Sequence, residues 1–267
     1  MNEDKVQGTE KEFLEIFRKM CYSRNDWQVW ADLMTAIACS LANAVDRTEP
    51  AYSNREAEYK SCIERLGGVE LPAKCFNIIT MALDKNPEQD FLGKLYMTLN
   101  LGNHWKGQFF TPYSVCECMA GITISDNLQK LESKEWISVN DHACGAVATL
   151  IAAANTLQRN GINYQQQVLF VANDIDRVTA QMCYIQLSLL GCAGYVAVAD
   201  TITDPVTGNT LIPDKKDSQE LWFTPLYFHV VWQNRKMRAV LGLTEPKKDK
   251  IIFYFDFEKG EFKCQNS

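Results

Sequence analysis

Three short apolar segments of this 267-residue chain each run into an acidic residue, and helix-forming stretches separate them. The segments with their acids are Trp136–Asn140 with Asp141, Val168–Ala172 with Asp174, and Tyr195–Ala199 with Asp200. Successive acids are 33 and 26 residues apart, close to the roughly 30 residues of one strand–helix–strand unit. This alternation predicts an α/β fold with a parallel, doubly wound sheet and right-handed crossovers.

The first hundred residues show helical periodicity without strand-like alternation. The predicted helices are Glu12–Cys21, Asp26–Val45, Asn54–Leu66, Pro72–Leu83 and Glu88–Leu99. We therefore expect a helical N-terminal region over residues 1–103 and the α/β domain over residues 104–267. Near the C-terminus, the segments Ile251–Phe257 and Glu261–Cys264 predict an antiparallel hairpin, and Leu221–Val231 favours a strand.

Composition excludes several classes of protein. The formal net charge is -6, which counts against a protein that coats nucleic acid by bulk charge. The ten cysteines contain no C-x-x-C pair and the three histidines are scattered, so no metal site is expected. The N-terminus has no signal-peptide core, and no apolar run is long enough for a membrane span. We expect a cytoplasmic protein with no membrane partner.

The three acids point to a binding site, because ligands of an open parallel sheet bind beyond the carboxyl ends of its strands. One acid alone usually caps a turn, whereas three in series suit a nucleoside ligand. The first can meet an ammonium group, the second ribose hydroxyls and the third an exocyclic amine. The turn after Asp141 is built of small residues and matches neither G-x-G-x-x-G nor a Walker loop, which disfavours dinucleotides and nucleoside triphosphates. A tightly packed strand-to-helix turn is the alternative interpretation.

Two motifs resemble a known family. The segment 107–112 reads GQFFTP and precedes a helix, and Asp141-x-Ala143-Cys144-Gly145 follows the first strand. Together they resemble the adenine-N6 DNA methyltransferases, especially the methylation subunits of type I restriction-modification systems, which pair a GQ[FY][FY]TP segment with a D-P-A-C-G-S-G-G turn. The similarity covers roughly residues 100–202 and implies a Rossmann-like methyltransferase fold that binds S-adenosylmethionine (SAM).

The resemblance also implies roles for individual residues. Those that would flank the methionine end of SAM are Phe109, Thr111 and Pro112. Those that would line its methionine side are Asp141, Ala143 and Gly145. Those at the nucleoside end would be Asp174 for the ribose, Ile175 for the adenine face and Asp200 for the adenine amine.

The chain departs from the family pattern in the turn after the first strand. Where the family continues S-G-G, this chain has Ala146-Val147-Ala148. A valine in place of glycine narrows the space beside the ligand and removes access to positive φ.

A second departure concerns the catalytic tetrapeptide [DNS]-P-P-[YFW], which is absent. In the family, its first side chain and the proline carbonyl accept from the target amine while the aromatic ring stacks on the flipped base. The nearest candidate is Thr224-Pro225-Leu226-Tyr227, 24 residues beyond Asp200, so Thr224, Pro225 and Tyr227 are the predicted catalytic residues. The segment 204–207, DPVT, supplies an acid but no aromatic residue.

A basic stretch near the C-terminus is the candidate contact for DNA. It carries a local charge of +4 and comprises Arg235, Lys236, Arg238, Lys247, Lys248 and Lys250. A solvated loop is the ordinary interpretation of such a run, and a rim that contacts phosphates is the functional one. The chain shows no dedicated recognition region, so a specificity-type protein partner is a further expectation.

Three hypotheses follow from these residues. The first is a SAM-dependent methyltransferase acting on adenine N6 in DNA. The second is a SAM-binding or SAM-fold protein without catalysis, which acts as a partner subunit or decoy. The third is a methyltransferase for another substrate, with the C-terminal region rebuilt as the acceptor pocket.

Overall fold

A computed structural model describes residues 3–22, 24–101, 110–125, 134–243, 251–256 and 261–266, with side chains only within residues 8–243. None of the described helices is long and apolar enough to cross a membrane.

The N-terminal region is helical, as predicted. Its helices are α1 (Glu3–Met20), α2 (Asp26–Val45), α3 (Ala51–Leu66), α4 (Glu70–Lys85) and α5 (Phe91–Thr98). Helix α2 has the predicted bounds because Asn25 caps it, its side-chain oxygen accepting from the amides of Trp27 and Gln28 at 2.9 and 3.3 Å. Helix α3 ends at Gly67, whose φ of +83° is the left-handed conformation expected of a C-terminal glycine.

The α/β part alternates as its periodicity predicts. Its first elements are α6 (Tyr113–Ser125), β1 (Ile137–Asp141), α7 (Ala148–Arg159), α8 (Tyr164–Gln167), β2 (Val168–Asp174), α9 (Arg177–Leu189) and β3 (Ala193–Val198). The later ones are β4 (Gly208–Asn209), β5 (Ile212–Pro213), β6 (Glu220–Phe223), a 3₁₀ turn (Pro225–Phe228), α10 (Val230–Val240), β7 (Ile251–Asp256) and β8 (Glu261–Asn266). The strand predicted over Leu221–Val231 is therefore short and gives way to the turn and α10.

The main sheet has the strand order β1-β2-β3-β6. Strands β1, β2 and β3 are parallel, which confirms the predicted sheet, and Asp141 pairs with Ala172 while Asp174 pairs with Val198. Strand β6 runs antiparallel to β3, with Tyr195 opposite Phe223. The predicted C-terminal hairpin forms as β7 and β8, a separate two-stranded sheet.

One apolar core joins the N-terminal helices to one face of this sheet. Buried polar bonds cross the same interface: the Thr35 hydroxyl donates to Gln181 Oε1 at 2.9 Å. Fully buried Gln186 accepts from the Leu92 amide and donates to Asp90 and to the Ala146 carbonyl. The boundary that the sequence predicts at residue 103 therefore falls between regions that share a core.

The opposite sheet face carries a second, smaller cluster. Its buried members are Leu169, Ala193, Tyr195, Leu211, Tyr227 and Trp232. The Trp232 indole is fully buried, donates to the Gln165 carbonyl at 3.0 Å and lies edge-on to Trp136. These contacts hold α10 against the sheet.

Candidate functional site

The carboxyl ends of β1, β2 and β3 lie side by side and bring the three predicted acids to one edge of the sheet. Asp141 and Asp174 are the last residues of β1 and β2, and Asp200 follows β3 by two residues. The parallel register is what aligns these ends.

Asp174 joins the turns that follow β1 and β2. Its Oδ2 accepts from the Gly145 amide at 3.0 Å and its Oδ1 from the Asp176 amide at 2.9 Å. Burial raises the pKa of Asp174, although both amide bonds oppose the shift. Each carboxylate oxygen retains a second lone pair, so hydroxyl donors can still bind there.

Asp141 braces its own turn. Its Oδ1 accepts from the Ala143 amide at 3.1 Å and its Oδ2 from the Thr149 hydroxyl. Thr149 lies on α7 eight residues away and was not predicted from the sequence. A hydroxyl in the first turn of the helix that follows a strand-end acid is the signal that could have found it.

Asp200 closes a turn at the end of β3. Its Oδ1 accepts from the amides of Ile202 and Thr203 at 2.9 and 3.2 Å. A hydrogen bond from the Thr203 side chain, supported by these amides, lowers the pKa of Asp200. The carboxylate is thus ionised at neutral pH and available to a donor at this edge.

The turn between β1 and α7 keeps positive φ at two places. Gly145 has a φ of +53° and Val147 has a φ of +105°. The expectation that valine excludes positive φ is therefore wrong for this turn: Val147 is fully buried, and its packing holds a conformation that β-branched residues rarely adopt.

Phe110 covers this turn. A Cβ added at Gly145 would lie 3.1 Å from Cδ1 of the Phe110 ring, so glycine is what allows this approach. The ring also contacts Tyr96, with centroids 5.3 Å apart. Thr111 and Pro112 are exposed at the start of α6. Phe109 lies outside the described residues.

Ile175 follows Asp174 directly and is 70% exposed. An exposed aliphatic side chain beside a strand-end carboxylate offers a flat ligand an apolar surface. The described residues predicted for a SAM site are thus gathered at or beside one edge of the sheet.

The predicted catalytic segment lies elsewhere. The Thr224 hydroxyl is fully buried, donates to the Cys192 carbonyl at 2.7 Å and accepts from the Gly194 amide at 3.0 Å. Both partners are at the amino end of β3, about 20 Å along the strand from Asp200 at roughly 3.3 Å per residue. The structure therefore separates Thr224 from the three acids.

The rest of that segment is also built into the protein. The Tyr227 hydroxyl donates to the Leu211 carbonyl at 2.6 Å, and its ring stacks on Phe223 with centroids 4.7 Å apart. Pro225 begins the 3₁₀ turn. The Thr224 hydroxyl is thus engaged at the amino end of β3 and the Tyr227 hydroxyl with Leu211, so neither is described beside Asp200. Asp204, of the other candidate segment, accepts from Lys216 and Ser218 and braces its loop.

The described basic residues each have a partner within the fold. Arg235 is buried, pairs with Glu135 at 3.3 Å and lies over the Trp232 ring. Arg238 pairs with the same glutamate at 3.2 Å. Lys236 donates to the Tyr227 carbonyl at 3.1 Å. The charges of Arg235 and Lys236 are engaged within the fold, whereas the Arg238 side chain is 40% exposed beside its ion pair, and a phosphate contact by this stretch stays a prediction.

The remaining predicted basic residues, Lys247, Lys248 and Lys250, lie outside the described residues. Within the described part of the chain, no group of three or more His, Cys, Asp or Glu side chains is arranged to hold a metal ion.

Similarity to known proteins concerns a family profile and a solved structure. No curated protein matches this chain. A solved structure, the methyltransferase subunit of a type I restriction-modification system from Streptococcus thermophilus, is similar with a TM-score of 0.38 and 12% identity. The similarity covers 74% of this chain and 59% of that one, so this chain spans less than two thirds of that protein. The N-6 DNA methylase profile matches residues 88–241, more than half of the chain. The chain belongs to the N-6 DNA methylase family.

Proposed function

We propose that this protein binds SAM at the carboxyl edge of β1, β2 and β3 and transfers its methyl group to N6 of adenine in DNA. The observation that carries the proposal is that Asp141, Asp174 and Asp200 lie at one edge of the sheet. The turn after β1 lies beside them, and its Gly145 amide donates to Asp174. Family membership supplies the reaction class.

The residues at this edge fit the chemical groups of SAM. Asp174 has lone pairs for ribose hydroxyls, and exposed Ile175 can pack on the adenine face. The Asp200 carboxylate can accept from the adenine amine. Asp141 and the backbone of Ala143 and Gly145 lie where the methionine end would extend, and Phe109, Thr111 and Pro112 would flank that end.

The protein's contribution to methyl transfer is orientation. When bound, SAM would supply an electrophilic methyl group on its sulfonium; transfer to the acceptor amine would break the sulfur–methyl bond, leave S-adenosylhomocysteine and release one proton from the amine. The bonds from Gly145 to Asp174 and from Thr149 to Asp141 hold the turn after β1 in place, and this turn would orient the bound ligand. Holding donor and acceptor in line is what such a site adds to the reaction.

Calorimetry with SAM tests the cofactor site. We expect Asp174→Asn, which removes the charge and leaves one acceptor oxygen for the two amides of Gly145 and Asp176, to weaken SAM binding by about tenfold or more. The matched control is Asp84→Asn, an exposed acid on α4. Equal SAM affinity in Asp174→Asn and the unaltered protein would show that the ribose assignment is wrong.

A second candidate function is SAM binding without catalysis, with the protein acting as a partner subunit. Two observations favour it. The sequence contains no [DNS]-P-P-[YFW] segment. The hydroxyl of Thr224, in the nearest substitute, is engaged at the amino end of β3 and away from Asp200. Incubation with radiolabelled SAM and adenine-containing DNA separates the two candidates. Incorporation that is lost in Asp200→Ala supports the enzyme. SAM binding without incorporation, with or without a specificity-type partner, supports the second candidate.

A further inference from the structure

Strand β1 forms one edge of the main sheet. Among the described strands it pairs only with β2, so the other side of its backbone has no strand partner within the described part of the chain. Its residues Ser138 and Asn140 are exposed. The backbone amides and carbonyls along such an edge can pair with a further strand. The edge of β1 is therefore suited to the addition of a strand.

An apolar groove of about 680 Å³ lies along this edge. All five residues of β1 line it, together with residues of α6 and α7. Its apolar walls include Met119 and Ile124 of α6 and Leu150 of α7. Asp141 and Thr149 also line it, so a segment that fills the groove borders the proposed cofactor edge.

Helix α6 presents an apolar stripe beside this groove. Its residues Val115, Met119 and Ile122 are 46%, 53% and 65% exposed. They are four and three positions apart, so they lie on one face of the helix. A single exposed apolar residue is ordinary, whereas a stripe that adjoins an apolar groove marks a surface to which another segment can bind.

The path of the chain identifies a candidate for that segment. Arg238, near the end of α10, pairs with Glu135 at 3.2 Å, and Leu243 lines a small cavity with Glu135 and Trp136, which directly precede β1. Seven residues separate Leu243 from Ile251, where β7 begins. Fully extended, they span up to about 23 Å, whereas a paired strand would lie only about 4.8 Å from β1. Strand β7 can therefore reach the unpaired side of β1.

The hairpin of β7 and β8 needs a partner of this kind. Its two strands have six residues each and form a sheet of their own. A two-stranded hairpin by itself is marginally stable in water. Five of the six residues of β7, IIFYFD, are apolar or aromatic. A nearly continuous apolar run is typical of a strand that is covered on both faces within a larger sheet.

We propose that the C-terminal hairpin docks in this groove and adds β7 to the unpaired side of β1. The main sheet would then continue in the order β8-β7-β1-β2-β3-β6. Pairing would satisfy the backbone of β1, and the apolar sequence of β7 suits the groove under α6 and α7. This docking does not depend on the cofactor or the reaction proposed above.

Hydrogen exchange of the full chain, followed by mass spectrometry, tests the docking. In the unaltered protein, amides of both β1 and β7 should exchange slowly. Met119→Glu places a charge in the groove and should speed exchange in both strands by about tenfold or more. Met81→Glu makes the same substitution at an exposed position of α4 outside the groove and should leave both rates unchanged. Fast exchange throughout β7 in the unaltered protein, or an equal response of the two variants, would overturn the proposal.

A variant of β7 tests whether the hairpin itself is the occupant. Proline cannot donate to a strand ladder, so Phe253→Pro should speed exchange in β1 by about tenfold or more. Exchange in β2 should stay slow, which shows in each variant that the fold is intact. If Met119→Glu unfolds, the Phe253→Pro result decides. A β1 that stays protected in Phe253→Pro would be covered by another segment, and protection that rises with protein concentration would assign the groove to a second copy; either result overturns the proposal.

Discussion

The two ends of the same sheet differ in how their polar groups are used. At the carboxyl end, Asp174 and Asp200 each retain acceptor capacity beyond their turn, and exposed Ile175 has no cover. At the amino end, Thr224 and Arg235 are buried and have hydrogen-bond partners within the fold. A polar residue that satisfies its neighbours inside the protein contributes to stability, whereas one that leaves capacity at an open edge can bind a ligand.

The largest effect should come from Thr224→Val, which tests the amino end. The change removes the acceptor of the Gly194 amide and the donor to the Cys192 carbonyl, and both groups are buried. We expect the free energy of unfolding to fall by about 2–4 kcal/mol, measured by urea denaturation. SAM affinity should stay unchanged below the unfolding transition.

Two matched variants sharpen this result. Thr224→Ser keeps the hydroxyl and should recover most of the stability. Thr149→Val makes the same substitution at the carboxyl end, where it removes a donor to Asp141 and should weaken SAM binding severalfold. If Thr224→Val folded with full stability and SAM affinity but lost methyl transfer, Thr224 would be catalytic after all.

Lys236 provides a pH-dependent test of the amino end. Its Nζ lies 3.5 Å from the centroid of the Tyr227 ring, and burial lowers the pKa of Lys236 to about 8 from an ordinary 10.5. Between these two values the unfolded chain binds more protons than the folded one, so this group makes stability rise with pH. Allowing for its partial exposure, we expect a rise on the order of 1 kcal/mol.

Urea denaturation at pH 8 and pH 10 measures that rise, which should be smaller in Lys236→Met. The same variant addresses the predicted DNA contact. A lysine engaged with Tyr227 contributes no phosphate contact, so the salt dependence of any DNA binding should match that of the unaltered protein. A salt slope reduced by about one in Lys236→Met would instead show a phosphate contact.

The sequence predicted the carboxyl end well because its signals are local. Apolar runs followed by Asp141, Asp174 and Asp200 specify strands, and parallel strands bring their ends to one edge. No structural knowledge beyond the strand–helix alternation was needed. The roles of individual residues in cofactor binding remain predictions, which the position of the three acids at one edge of the sheet supports.

The amino end was not predictable in the same way. Strand β6 pairs antiparallel with the outer edge of β3, so Thr224, which follows β6, lies at the amino end of β3 and away from Asp200. Strand direction depends on long-range pairing, which a local match such as T-P-L-Y does not report.

A final pair of variants separates backbone strain from burial at the turn after β1. Val147 and Val196 are both fully buried, but only Val147 has positive φ. Replacing Val196 by glycine should cost about 3 kcal/mol or more, since burial is lost and the unfolded backbone gains freedom. Val147→Gly incurs the same losses but relieves strain of about 1–3 kcal/mol, so it should be milder by at least about 1 kcal/mol. Urea denaturation of the two variants measures the difference, and equal costs would mean that the turn holds valine without strain.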